Sequence, residues 1–420
     1  MPASTKNDKY VRGWYAYSPY LHILKMKKIA IATLVVGLSV SASKGQGLLS
    51  IGANKDWEEK IPFSVTLASS VGWDSNMNTS SFDEQESGYW QNGVSLVYSK
   101  GDKRNHLSLG AHYSNIWYLD AAPGTEEFYN NARFSLDYVT ELSPRLVISD
   151  SFYLAYETEP DFLIGASINR RTNQYLYGYN NLSVSYAWAP RFSTVSGYTI
   201  TGIWYEEEVN QNMDHLAHIF SQQFRYAINP RTTGTVDYRF RFADYDNNSD
   251  ADYTAHYLLG GVDHSFSPLL AGSLRLGAEF RDYDGDLGSE TRPYLEGALN
   301  YRVGKHTILR WYHYLGMDDS DLVGFASGYS YKTGLTVQHQ ITDRLSGNLA
   351  LHYLHQTFED SPYGLPDEDD NTFAGSAGLD YRLWRNIGLN ATYWYTNTDS
   401  DNFYREYERH RVSFGVTATF

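Results

Sequence analysis

The chain of 420 residues carries 37 Tyr, 10 Trp and 34 Gly, no Cys, and a formal net charge of -15. The lack of Cys excludes a disulfide framework and a lipoprotein anchor, and the acidic balance excludes nucleic acid as a partner. No stretch after residue 45 approaches 18 consecutive apolar residues, so helical membrane spans are excluded as well. A mean hydropathy of -0.47 with this many aromatic residues instead suits a transmembrane β-barrel. Only alternate residues of its strands face lipid, and Tyr and Trp collect at the two interfaces.

At the amino end, Trp14, Tyr15, Tyr17 and Tyr20 precede any basic cluster, so residues 1–25 read as an upstream extension of a mis-assigned start, with Met26 as the working initiator. Met26, Lys27 and Lys28 form a basic n-region, 29–40 an apolar run, and Ser41, Ala42 and Ser43 a small-residue stretch suited to signal peptidase. An apolar run of about 12 residues is short of the roughly 20 that a spanning helix needs. The expected organisation is therefore a signal peptide over 26–45, a periplasmic leader over 46–60 and a barrel over 61–420.

Short turns punctuate the rest: Gly101-Asp102-Lys103, Ser143-Pro144-Arg145, Ala189-Pro190-Arg191, Asn229-Pro230-Arg231, Ser267-Pro268, Val303-Gly304-Lys305, Thr342-Asp343-Arg344 and Trp384-Arg385-Asn386. Pro or Gly beside Asp, Asn or Ser is tight-turn chemistry, and Pro cannot donate to a mid-strand ladder. The spacing of roughly 36 to 46 residues is that of repeated hairpins. Two spanning strands of about 11 residues leave a longer loop at the other end of each. Those loops are the acidic stretches 74–87, 120–127, 158–172, 206–214, 244–252, 282–290, 317–326, 359–371 and 397–405. Eight turns and nine loops predict an all-β fold, an antiparallel transmembrane barrel of about 18 strands with short periplasmic turns and longer extracellular loops.

Alternation within the strands sorts the faces. Val236, Tyr238, Phe240 and Phe242 oppose Asp237, Arg239 and Arg241; Leu274, Leu276, Ala278 and Phe280 oppose Arg275, Gly277, Glu279 and Arg281. Leu295, Gly297, Leu299, Tyr301 and Val303 oppose Glu296, Asn300 and Arg302; Thr307, Leu309, Trp311 and Leu315 oppose Arg310, Tyr312 and Tyr314. Charge facing lipid at mid-bilayer costs about 2–4 kcal/mol for Arg or Lys, so the charged set faces a wet interior. On this reading Arg239, Arg241, Arg275, Glu279, Arg281, Glu296, Arg302, Arg310, Tyr312, Tyr314, Arg409 and Arg411 line the bore, which is mildly basic beneath acidic loops. Such a bore suits anionic or sugar-like solutes. The competing reading pairs the same charges across strands to stiffen the wall. A barrel of this size has a backbone radius on the order of 18 Å, open to water unless loops fold in, as 158–172 is long enough to do.

Gly72-Trp73-Asp74-Ser75-Asn76 resembles the Gly-aromatic-Asp-Ser-Asn element of the beta-barrel porin 2 group, and the repeated Pro-Arg turns are similar to those of that group. The resemblance implies an outer-membrane barrel from about residue 60 onward and a link with exopolysaccharide export. Three functions follow as expectations. The first is a passive outer-membrane channel for small polar, anionic or sugar-like solutes; the alternatives are an exopolysaccharide conduit with periplasmic export partners, and a non-conducting structural or adhesive barrel.

An enzyme is not expected. The close His pairs, His215 with His218 and His352 with His355, are separated by odd spacings that put them on opposite faces of a strand. No cofactor or metal is expected either. Asp282, Asp284 and Asp286 imitate a calcium loop, but Leu287 stands where the turn needs Gly and Pro293 where it needs Glu. The chain closes on Val412, Phe414, Val416, Ala418 and Phe420 alternating with Arg411, Ser413, Gly415, Thr417 and Thr419. A terminal aromatic residue on a last strand is the signal that the barrel-assembly machinery reads. The remaining expected partners are outer-membrane lipid and lipopolysaccharide, in the outer membrane of a Gram-negative-type bacterium.

Overall fold

The computed structural model describes residues 62–420 apart from 103, 122–125, 159–173, 285–286, 323, 360 and 362–363. The predicted extension, signal peptide and leader, nearly all of loop 158–172 and Asp286 lie outside the described residues. Eighteen strands follow one another: β1 Phe63–Asp74, β2 Ser87–Gly101, β3 Asn105–Tyr118, β4 Phe128–Ser143, β5 Leu146–Glu157, β6 Tyr175–Ala189, β7 Phe192–Tyr205, β8 His215–Asn229 and β9 Thr232–Tyr245. Then come β10 Tyr253–Ser267, β11 Leu270–Tyr283, β12 Ser289–Val303, β13 Thr307–Asp319, β14 Ser327–Gln340, β15 Leu345–Phe358, β16 Glu368–Arg382, β17 Ile387–Ser400 and β18 Tyr407–Thr419.

Each strand pairs antiparallel with its sequence neighbours, and β1 pairs with β18 from Thr66↔Thr419 to Asp74↔Arg411, so the sheet closes with no free edge. Closure satisfies the strands' backbone polar groups inside the sheet, the condition for crossing hydrocarbon, except where the tops of β12 and β13 part. Phe420 extends the seam: its N–H donates to the Val65 carbonyl at 2.8 Å and its carbonyl accepts from Val65 N at 2.9 Å. The eight predicted short turns lie at one end of the barrel and the nine longer connections at the other.

The four Pro turns share a local device. The register slips by one residue just before each, between Glu141 and Ser143, Ala187 and Ala189, Ala227 and Asn229, and Ser265 and Ser267. Such a bulge absorbs the residue that Pro leaves without a donor. The extra residues, Leu142, Trp188, Ile228 and Phe266, are all exposed apolar side chains at that rim, where a bilayer interface accommodates them.

Alternation holds along the wall. Val236, Tyr238, Leu274, Leu276, Phe280, Trp311, Phe414 and Val416 are exposed on the outside, while Asp237, Arg239, Arg275, Glu279 and Arg281 are buried within. His215 and His352 are buried inside, and His218 and His355 lie on the outer face. Outward polar groups find partners on the neighbouring strand: Tyr198 with His218 Nδ1 at 2.8 Å, Tyr238 with His256 Nδ1 at 2.9 Å, and Tyr393 with His410 Nδ1 at 2.7 Å. Lipid offers no replacement for those bonds.

One proline departs from the expectation that Pro avoids strand interiors. Pro293 lies within β12, opposite Ala278 of β11. On its other side the β12–β13 ladder begins only at Leu295↔Leu315, although β13 remains paired with β14 as far as Asp319↔Ser327. Pro293 thus sits where β12 has no neighbour to donate to; above Leu315 β13 has left β12 while β14 stays on β15 as far as Tyr329↔Thr357, and the tip beyond those pairs is off both neighbours.

Candidate functional site: the barrel interior

Buried ion pairs fill the inner face of the strands. Arg239 grips Glu296 with two bonds of 2.7 and 3.0 Å, and Tyr294 donates to the same carboxylate. Arg275 lies 3.1 Å from Asp237 and 2.7 Å from Asp263, which also takes Arg225 at 3.0 Å. Arg133 donates twice to Glu157, both at 2.8 Å. Of the predicted bore-lining residues, Arg239, Arg241, Arg275, Glu279, Arg281, Glu296, Tyr314 and Arg409 are buried inside. Arg302, Arg310, Tyr312 and Arg411 face the same way and are half-buried. The arginines expected to form a basic wall are therefore largely matched by carboxylates. Desolvation offsets most of the attraction in such pairs, whereas removing one member costs about 3–5 kcal/mol.

Five carboxylates that the loop assignment had put at the rim, Asp74, Asp318, Asp319, Asp321 and Asp370, are also buried, which offsets the basic excess. Three of them ride on the hairpin that leaves the wall. Asp319 Oδ2 accepts from Arg241 Nη2 on β9 at 2.5 Å, and Oδ1 accepts from the Tyr253 hydroxyl on β10 at 2.6 Å. Arg281 Nη1 of β11 is 3.8 Å away and His215 Nε2 of β8 is 3.3 Å away. At about 4.8 Å per strand, β8 and β13 are some 24 Å apart along the wall, far beyond the joint reach of an aspartate and a histidine. The tip of β13–β14 must therefore lie inside the barrel.

Other contacts fix it there. Arg281 Nη2 donates to the Met317 carbonyl at 3.0 Å, Lys332 Nζ lies 2.6 Å from Asp318, and Arg405, between β17 and β18, bridges Asp321 at 3.0 Å and Asp370 at 2.6 Å. Burial opposes charge on the Arg405 guanidinium, but Asp321 and Asp370 outweigh it and hold the group above its ordinary range. Gly316 marks the departure: a Cβ there would lie 2.7 Å from the Tyr314 hydroxyl and 2.9 Å from the Tyr294 ring.

The inward-facing tyrosines form packed rings. Tyr175 meets Tyr205 at 6.4 Å, Tyr153 meets Tyr177 at 6.2 Å, and Tyr294 stands edge-on to Tyr257 and Tyr314 at 5.3 and 5.7 Å. Arg411 lies between Tyr89 and Trp394, 5.3 and 5.6 Å from their centroids. Among the described residues no group of acidic and His side chains is arranged to hold a metal ion.

The Gly72–Asn76 element proves to be a clasp on the closing seam. Asp74 accepts from Arg409 Nε and Nη2 of β18 at 2.9 and 2.6 Å and from the Tyr118 hydroxyl at 3.0 Å. His410 N donates to Ser75 Oγ at 2.8 Å, and Asn76 Nδ2 donates to the Glu408 carbonyl at 3.1 Å. Gly72 is required by close approach, since a Cβ would lie 2.4 Å from both the Tyr89 ring and the Val412 carbonyl oxygen.

Residues 204–420, just over half the chain, match the family described as putative beta-barrel porin 2. The chain belongs to the beta-barrel porin 2 family. Family and apolar outer wall together make it a porin-type protein of a Gram-negative outer membrane. No curated protein matches the chain. Among solved structures, it is similar to OccK2 (OpdF) of Pseudomonas aeruginosa in complex with glucuronate, at 11% identity over 89% of this chain and 100% of that one, with a TM-score of 0.45. A BenF-like porin from Pseudomonas fluorescens Pf-5 is 10% identical over 85% of this chain and 99% of that one, with a TM-score of 0.45. OccAB4 of Acinetobacter baumannii is 13% identical over 85% and 98%, with a TM-score of 0.41. The barrel's own strand pairing, not these likenesses, establishes its form for this beta-barrel porin 2 protein.

Two features of the interior escape period-two reading. The inward hairpin is signalled only by Pro293 in an otherwise regular strand, and Arg405 by nothing beyond its place among acidic loop residues.

Proposed function

We propose that the chain is a passive channel for small polar solutes, with anionic and sugar-like molecules its best substrates. The observation that carries this reading is a closed barrel whose inner face is built from charged and hydroxylated side chains while its outer face is apolar. Such a bore replaces a solute's hydration with fixed polar partners. Matched charge along the wall argues for recognition of individual polar groups over bulk anion attraction.

A second reading draws on the hairpin. With its tip inside, the barrel has less room than its strand count allows, which favours small solutes over a polysaccharide chain and leaves a closed structural barrel as the rival. Purified protein in planar bilayers and in sugar-loaded vesicles tests both. Discrete conductance steps and swelling with monosaccharides but not with long oligosaccharides are expected. Absence of flux for every solute would refute the channel.

A further inference from the structure

Arg241 and Arg281 stand at one level of the inner wall, both directly opposite Ala255 of the strand between them. Ala255 is fully buried and too small to separate them. Tyr253, two residues further along the same face, has both guanidinium carbons over its ring, at 5.3 and 4.1 Å. His215 completes the group. Two cations and a phenol converging on one point form a site that repels itself without an anion. Two carboxylates answer them: Glu279, fixed on the wall, takes two bonds from Arg281 at 2.8 and 3.2 Å, and Asp319 takes one bond from Arg241 and one from Tyr253, so without Asp319 the site keeps one cation in excess.

The Asp319 carboxylate rides on the hairpin tip, which beyond Met317 and Tyr329 has no ladder to either neighbouring strand and is held by side chains, Asp318 on Lys332 and Asp321 on Arg405. Above Leu315, β13 has no ladder to β12, and Pro293 removes the donor that could make one. Gly328 lies just beyond the last β14–β15 pair, Tyr329↔Thr357, so the tip can turn there while the Asp318↔Gly328 and Asp319↔Ser327 pairs stay whole.

We propose that His215, Arg241, Tyr253 and Arg281 form a carboxylate-binding site, and that Asp319 is its tethered occupant, displaced when a solute carboxylate enters. The exchange conserves charge at the guanidiniums: one carboxylate leaves as another arrives, and Asp319 moves into water with the tip, whose Asp318–Lys332 and Asp321–Arg405 pairs open with it. The proposal deepens the channel reading by naming the solute class as small carboxylates, and it makes the hairpin a gate opened by the molecule it admits. A tethered group on a short linker competes at an effective concentration on the order of millimolar, so displacement needs solute in that range.

The chain has no Cys, so a nitroxide on Leu322→Cys reports the hairpin alone. Titration of the full-length labelled barrel in micelles with galacturonate should raise tip mobility with a midpoint in the millimolar range, and galactose at the same concentrations should not. In Asp319→Asn the tip should be mobile without ligand, and equilibrium dialysis should show galacturonate binding at least about tenfold tighter, because the tethered competitor is weakened. Arg241→Gln should lose that binding. Equal responses to galactose and galacturonate, or a tip that stays rigid with galacturonate in the labelled barrel whose site residues are unchanged, would overturn the proposal; the latter needs no substitution in the site and so is independent of folding defects there. Inorganic phosphate serves as a third probe, and an equal response to it would overturn the carboxylate assignment. None of these readouts requires flux, so a barrel that conducts with a static hairpin refutes the gate alone. One that responds without conducting refutes the channel alone.

Discussion

Replacing Asp74 should loosen the closing seam far more than its share of the backbone pairing implies. The nine registered pairs between β1 and β18 run from Thr66↔Thr419 to Asp74↔Arg411, and their two ends differ in kind. At one, the Thr66 and Thr419 hydroxyls share a hydrogen bond of 3.0 Å. At the other, the fully buried Asp74 receives two bonds from Arg409, one from Tyr118 and an approach of 3.5 Å from Arg411 Nε. A neutral hydrogen bond contributes about 0.5–1.5 kcal/mol. Taking one partner from a buried ion pair costs about 3–5 kcal/mol, because the remaining charge keeps its desolvation penalty. Asp74→Ala should thus shift the unfolding equilibrium by roughly two to three and a half powers of ten, and Thr66→Ala by one at most. Urea titration of barrels folded into vesicles, with folded and unfolded forms separated on an unheated gel, measures both. Equal shifts for the two variants would refute the clasp, and so would an Asp74→Ala barrel as stable as the parent.

Arg239→Leu should cost about 3–5 kcal/mol by leaving Glu296 buried without its guanidinium, and adding Glu296→Leu should recover most of the loss; the same titration decides, and additive losses would contradict a paired wall. Ion selectivity in planar bilayers should change little when Arg239→Gln and Glu296→Gln are combined, since the pair contributes little net field, whereas a large swing toward cations would restore the free basic wall. If the last strand carries the assembly signal, deleting Phe420 should lower the amount of assembled, heat-modifiable barrel without changing synthesis; normal assembly would refute that role. For orientation, Cys at Asp369 should react with an impermeant reagent on whole cells and Cys at Pro190 or Asp343 should not, and the reverse pattern would invert the topology.

Strand number, turn positions and the sorting of faces were all legible in the sequence. Each depends on local chemistry: Pro and Gly set the turns, and a side-chain period of two fixes which residues share a face wherever lipid meets one side. Phe420 at the end of an alternating run and the acidic loops belong to the same category. The neutralisation of the arginines did not, since Arg239 and Glu296 lie 57 residues apart in the chain and meet across two intervening strands. The Gly72–Asn76 element was visible as a motif, but its role as a clasp depends on Arg409, 335 positions away. Loop composition marked 317–326 as a connection, of which Met317–Asp319 prove to be strand, and it could not show that the tip turns inward. That choice rests on where Asp319 finds partners, on four strands that closure of the barrel carries to within its reach. Alternation is a property of neighbouring residues, whereas the interior is decided by which distant side chains the closed wall brings together.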